Sequence, residues 1–215
     1  QLAVSRIDRI QQPFFQPLYD WSQNMVVVIF SAPKEKLTFY TKTQQQNQLK
    51  PSIINYRVPV SITEHYANGL SNFGHPFKEA ILKDMATIGY KIEDFSIADW
   101  GQHGNNNFHL LFVKEAHIAT SINCSELSQG MFRALSLLIK INYALNSKTS
   151  QCVLIDDVGE GLDYERSMKL INLMIDRLKS SEVQLIMTTN NRFIMNENPL
   201  EYWSVIHREL QRSVF

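Results

Sequence analysis

The sequence predicts an α/β fold: a mainly parallel core sheet with flanking helices, plus an antiparallel, β-rich portion. Three observations predict it. After residue 124 short apolar strands alternate with helical patterns, at Val153–Ile155, then Tyr164 to Leu178, then Val183–Met187, which is the order of a parallel sheet with a crossover helix. Met131 to Leu145 is apolar nearly all round, the mark of a buried helix. Upstream of residue 123 the chain carries several short β-branched or alternating runs instead. The expected division is therefore 1–123, β-rich with a helical insertion, and 124–215, an α/β core.

The elements follow in order. The aromatics Phe14, Phe15, Tyr19 and Trp21 suit helix packing. Residues 24–30 read as a buried strand and residues 36–40 as its neighbour, with Pro33 in the turn between them. The Gln-rich stretch 41–51 reads as a loop, and 53–61 as a further strand. Residues 76–88 read as a helix with Phe77, Ala80, Ile81 and Met85 on one face, closed by Gly89. Residues 91–98, 107–113 and 117–122 are expected as strands, with a hairpin-type connection over 99–107. Tyr164, Met168, Ile171, Ile175 and Leu178 mark one face of a helix, Arg192 to Asn196 a helix start or an interaction edge, and 201–208 a final strand.

Composition bounds the function. The chain has 215 residues, 44% of them hydrophobic, enough for a sizeable core. Twenty-one basic and 21 acidic residues balance, so no overall field draws in nucleic acid or anionic lipid. No run of about 18 apolar residues exists to cross a membrane, and no signal peptide is visible. Cys124 and Cys152 read as two buried reduced thiols, which suits a cytoplasmic protein. The six histidines show no metal-ligand spacing and read as surface or hydrogen-bonded residues. Lys34, Lys36, Glu160 and Glu165 read as solvated.

Two clusters carry chemistry. Asp156 and Asp157 follow an apolar strand, and strand ends hold ligand sites in open α/β sheets. One carboxylate there can hold Mg²⁺ while the other polarises a water. The plainer alternative is a polar loop start. The second cluster is Leu127-Ser128-Gln129-Gly130. Ser128 is a natural N-cap, the next backbone N–H groups are free to bind phosphate oxygens, and Gly130 allows close approach. Arg133, one turn on, supports phosphate charge or pairs with a carboxylate. Here the alternative is an ordinary capped core helix.

Together these segments resemble the ABC-type ATPase head, in the branch that includes the structural-maintenance-of-chromosomes, RecF-like and overcoming-lysogenisation-defect-type ATPases. Leu127 to Gly130 with Arg133 resembles the signature motif, Val153-Leu-Ile-Asp-Asp157 the Walker B strand, Gly161-Leu162-Asp163 the D-loop, and Gln184 to Thr189 the strand leading to the switch position. The resemblance is clear over 124–191 and weak over 24–123. It implies a partial P-loop NTPase fold binding ATP and Mg²⁺. Asp156 would assist the metal, and Asp157 would be the catalytic carboxylate. Ser128, Gln129, Gly130 and Arg133 would meet the nucleotide of a second head, in a homodimer or heterodimer. Asp163 would lie at the head–head contact and Asn190 at the switch. An effector protein or nucleic acid would be the further partner, in genome maintenance or defence against phage.

Three departures favour a rival reading, a degenerate scaffold or regulatory subunit. No G-x-x-x-x-G-K-[ST] loop occurs in these 215 residues. The expectation is that it precedes Gln1 in the native chain. Asp157 stands where the family usually has Glu, and a displacement of about 1 Å at a reacting centre costs on the order of a hundredfold in rate. Asn190 stands where His is frequent, and Asn cannot carry a proton at neutral pH.

Overall fold

A computed structural model describes residues 13–23, 25–29, 40–43, 61–103, 106–148, 152–197, 199–209 and 212–214. All but Ser61 of the expected strand at 53–61, most of that at 36–40, Pro33, Lys34 and Lys36 lie outside the described residues.

The parallel sheet has three strands, β1 (Met25–Ile29), β6 (Cys152–Asp156) and β7 (Gln184–Met187), with β6 in the middle. Register aligns Val27 with Leu154 and Leu154 with Ile186. Between β6 and β7 the chain crosses over through α5 (Tyr164–Lys179), as parallel neighbours require. A separate antiparallel sheet runs β2 (Tyr40–Thr43), β4 (Asn106–Glu115), β3 (Ile92–His103), with β5 (Ile122–Asn123) also on β4. β8 (His207–Glu209) and β9 (Arg212–Val214) form a small hairpin. The mixed α/β class holds, with parallel and antiparallel strands in different sheets.

Helix boundaries follow the cap chemistry. Ser61 accepts a bond from the Glu64 N–H and opens α2 (Ile62–Phe73), with Ser and Glu at the spacing of a capping box. Gly74 ends α2 in a left-handed conformation, and Pro76 then starts α3 (His75–Thr87). The helix α4 (Gln129–Ser147) packs against α2, α3 and β1 and is buried along nearly its whole length. One continuous core joins Tyr66, Phe77, Ile81 and Met85 of α2 and α3 to Leu135, Leu138 and Ile139 of α4 and to Val153 and Ile155 of β6.

Several expectations are corrected. α2 is a helix that apolar periodicity does not mark, because buried Thr63 and His65 interrupt its apolar face. Residues 41–43 are strand, held by β4, where a loop is expected. Of 117–122 only Ile122 is strand; His117 takes a left-handed turn. Residues 200–202 are a 3-10 helix, and strand begins only at His207. β1 and β7 are not buried throughout: Val26 and Val28 are enclosed, whereas Val27, Ile29 and Ile186 are exposed. Tyr164 is likewise half exposed, while Ile171 and Leu178 of the same helix are buried.

Candidate functional site

β6 ends at Asp156, and the chain then turns sharply. Asp157 has φ 56°, a left-handed conformation that Asp tolerates better than most residues. Thr188, just past the end of the neighbouring β7, ties the two acids together. Its hydroxyl donates to Asp156 Oδ1 at 2.6 Å and accepts from the Asp157 N–H at 2.9 Å. Backbone bonds Thr188 N–H to Ile155 O and Val158 N–H to Thr188 O continue the pairing beyond the strands. Asp156 is exposed, and among the described residues no basic side chain pairs with either acid. Two successive carboxylates at the end of one strand, Asp156 exposed and Asp157 half-buried, suit a hard cation. Among the described residues no three acidic, His or Cys side chains gather around a metal position. Mg²⁺ on a phosphate substrate needs none, since one or two carboxylates and the phosphates complete its shell.

The second cluster forms where α4 meets the loop 157–163. Ser128 accepts from the Met131 N–H at 3.2 Å and caps α4. Gln129 is its first residue, exposed beside it. Gly130 lies against the loop so closely that a Cβ there would sit 2.4 Å from Gly161 O. Gly161, at φ 81°, would in turn place a Cβ 2.6 Å from Arg133 Nη1. Arg133 is only 8% exposed; its Nη1 donates to Glu160 O at 2.9 Å, and the Glu160 carboxylate lies 3.8 Å away. Of the two roles open to Arg133, pairing with a carboxylate is the one formed. Its buried Nε has no partner among the described residues.

Asp163 caps α5 by accepting from the Arg166 N–H at 2.9 Å and forms an ion pair with the Arg166 guanidinium, both of which hold its pKa down. That guanidinium stacks 4.7 Å over the Tyr90 ring. The Tyr90 phenol is pushed up by burial and stands within hydrogen-bonding reach of Ser128. Ser128 and Asp163 thus belong to one polar cluster, joined by Tyr90 and Arg166. Asn190 is exposed, two residues beyond Thr188; Asn191 caps α6 (Arg192–Glu197) by accepting from the Phe193 N–H at 3.0 Å.

Sequence reasoning missed Thr188, Tyr90 and Arg166. Thr188 stands in the Thr-Thr pair after an apolar strand, and Arg166 is three residues from Asp163 on one helix face, so both had a readable signal. Tyr90, far upstream, had none.

Glu160 and Glu165 are exposed as expected, and Cys124 and Cys152 are both buried and in no disulfide. His75 pairs with Glu79 and His109 with Asp99, ordinary roles for histidine.

No protein-family model and no curated protein matches the chain. Solved structures do. Three of them come from work on SMC proteins. One is an Smc head domain with an extended coiled coil bound to the C-terminal domain of ScpA, from Pyrococcus furiosus, at 16% identity and TM-score 0.41, covering 56% of this chain and 29% of that one. A second comes from work on ATP-driven dimerisation and DNA-stimulated activation of SMC ATPases, at 15% identity and TM-score 0.48, covering 69% and 86%. A third is an Smc head bound to the C-winged helix domain of ScpA, at 15% identity and TM-score 0.46, covering 79% and 48%. Among the described residues no helix is long and apolar enough to cross a membrane.

Proposed function

We propose that this chain is the greater part of a cytoplasmic ATPase head that binds ATP with Mg²⁺ and closes on a second head. The observation that carries the reading is the Thr188 clasp. It fixes the exposed Asp156 carboxylate and the backbone of Asp157 at the end of β6, tied to the end of the neighbouring β7. Asp156 would hold the cation, which neutralises phosphate charge when bound. Asp157, placed beyond the strand end by its left-handed turn, would orient and polarise the attacking water. Ser128, Gln129 and Gly130 would offer the start of α4 to the phosphates of a nucleotide on the other head. Arg133 would act from beneath, holding the Glu160–Gly161 turn on which Gly130 rests. Asp163 would mark the head–head contact, and Asn190 would sense the phosphate without carrying a proton. Closure would report nucleotide state to an effector protein or a nucleic acid, in genome maintenance or phage defence.

ATP turnover of the full native protein tests this against Asp157→Asn. Asn tolerates the left-handed turn as Asp does, so the fold should persist. Turnover should fall by about a hundredfold or more, since a catalytic acid or base contributes on the order of 10²–10⁴. Equal rates would remove Asp157 from the mechanism.

The second reading is a nucleotide-responsive scaffold without turnover. The short Asp157 side chain and the proton-inert Asn190 favour it. Under it, ATP·Mg²⁺ binds and is released unhydrolysed by wild type and variant alike.

A further inference from the structure

Arg133 is the cation that stands nearest the Ser128 turn in the sequence, and the fold has already used it. It is buried, donates to Glu160 O and lies against the Glu160 carboxylate. Phosphates arriving at the Ser128 turn need their charge met by another residue. The fold brings Arg166 to that place. Gly130, in the first turn of α4, rests on Gly161 and Leu162, and Asp163 and the first turn of α5 follow directly. The Tyr90 ring fills the remaining gap. Its phenol stands within hydrogen-bonding reach of Ser128, and the Arg166 guanidinium lies 4.7 Å over its face. Tyr90 is itself fixed by the end of α3, where its N–H donates to Met85 O at 2.9 Å just past Gly89 at φ 92°.

Arg166 is lightly held for a guanidinium. Its Nη1 pairs with Asp163 Oδ2, the two side chains being 40% and 49% exposed, and its buried Nε has no hydrogen-bond partner among the described residues. An ion pair this open to water contributes little. A phosphate accepts two parallel bonds from a guanidinium, a stronger and more directional contact. The exchange also leaves α5 intact, because the cap uses the other oxygen: the Arg166 N–H donates to Asp163 Oδ1 at 2.9 Å. The Tyr90 face keeps the cation in place while its acceptor changes.

We infer that Arg166 is the phosphate-binding cation at the Ser128 turn, exchanging the Asp163 carboxylate for phosphate oxygens; this rests on the nucleotide reading above for its ligand and adds the residue that meets its charge. Asp163 is then a stand-in anion that holds the guanidinium until a polyphosphate arrives. Tyr90 is a positioning residue, acting on the ligand through Arg166.

Calorimetric titration of the 215-residue chain with inorganic tripolyphosphate, at low ionic strength, reads the exchange. Wild type should bind. Arg166→Gln should bind about tenfold or more weakly, the scale of one hydrogen bond to a charged group. Asp163→Asn should bind more tightly, by up to about fivefold, because Asn caps a helix as Asp does but no longer competes for the guanidinium. A gain of this kind cannot come from misfolding. Tyr90→Leu should weaken binding, and Tyr90→Phe, which keeps the ring, should restore it. Lys179→Gln, at the far end of α5, removes the same charge and should change nothing. If Arg166 and Asp163 only brace one another, Arg166→Gln and Asp163→Asn weaken binding alike, and that result overturns the inference. So do unchanged binding in Arg166→Gln, an equal loss in Lys179→Gln, and wild type that binds no tripolyphosphate. ATP turnover by the full native protein reads the nucleotide reading separately. Turnover combined with any of those results removes the inference alone. Opposite effects of the two variants in a protein that neither binds nor turns over ATP keep Arg166 as a phosphate-binding residue and remove the nucleotide reading.

Discussion

Thr188 is the residue on which the two acids depend. Its hydroxyl both donates and accepts, so Thr188→Val, equal in size, deletes two hydrogen bonds without opening a cavity. A typical bond contributes about 1 kcal/mol net, and this site faces solvent, so urea unfolding should show a loss of about 1–2 kcal/mol. The functional loss should be larger, because Asp156 and Asp157 would each gain freedom to leave their positions. Thr188→Ser keeps the hydroxyl and should recover most of the ATP turnover of the native protein. If Val and Ser variants turn over ATP alike, the clasp is structural only. The pair Asp156–Asp157 could be singled out from the sequence as a candidate site, because the two acids follow an apolar strand, although a polar loop start gives the same pattern. The clasp could not, since threonine at a strand end is common and only strand register brings residue 188 beside residue 156.

At the scale of elements, the packing of α4 on the loop 157–163 decides how the site is built. Gly130→Ala gains about 1 kcal/mol of helix propensity. Against that, its Cβ would lie 2.4 Å from a backbone oxygen that cannot retreat, because Arg133 fills the far side of the turn. Overpacking costs typically about 1–3 kcal/mol, so the clash should win and thermal denaturation should show a lower Tm. A neutral Gly130→Ala would mean that the 160–161 turn can move aside for the added methyl group. Farther from the site, Asp84 of α3, Asn142 of α4 and Arg177 of α5 form a polar link through the core. Asn142 Nδ2 donates to Asp84 Oδ2 at 2.8 Å, and Arg177 lies 3.6 Å from the same oxygen. Burial raises the Asp84 pKa against the lowering pull of Asn142, Arg177 and Lys83. An acid with a raised folded pKa keeps its proton longer in the folded chain. The stability it lends is full below its ordinary value of 3.8 and is lost as pH rises through the raised one. Asp84→Asn removes that titration. Its stability relative to wild type should therefore improve as pH climbs from 3.8 into the neutral range, in paired urea melts. A difference that stays flat with pH would show Asp84 ionised at its ordinary value.

For the whole molecule, the sequence made the α/β class and most helices legible, since capping residues and apolar spacing act locally. It did not reveal which strand faces are covered. Runs such as Met25-Val-Val-Val-Ile29 look uniformly apolar, and only tertiary packing assigns their sides. In the folded chain Val26 and Val28 point into the core, while Val27, Ile29 and Ile186 are 43%, 52% and 37% exposed. Val27, Leu154 and Ile186 lie side by side in register across all three strands, so the exposure belongs to one face of the sheet. Parallel sheets rarely leave a face to water, and an open apolar face is a liability for association. Two substitutions separate the faces. Val27→Thr with Ile29→Thr should lower the fluorescence of a bound apolar dye and suppress aggregation at little cost in Tm, because threonine is a good strand former and its hydroxyl reaches solvent. Val26→Thr, one residue along, would bury a hydroxyl where the valine is fully enclosed and should cost about 1–3 kcal/mol. A strand shifted by one residue would exchange the two results, because every side chain on it would change face. The pair therefore tests the register of β1 on β6, the central strand whose end carries the acids.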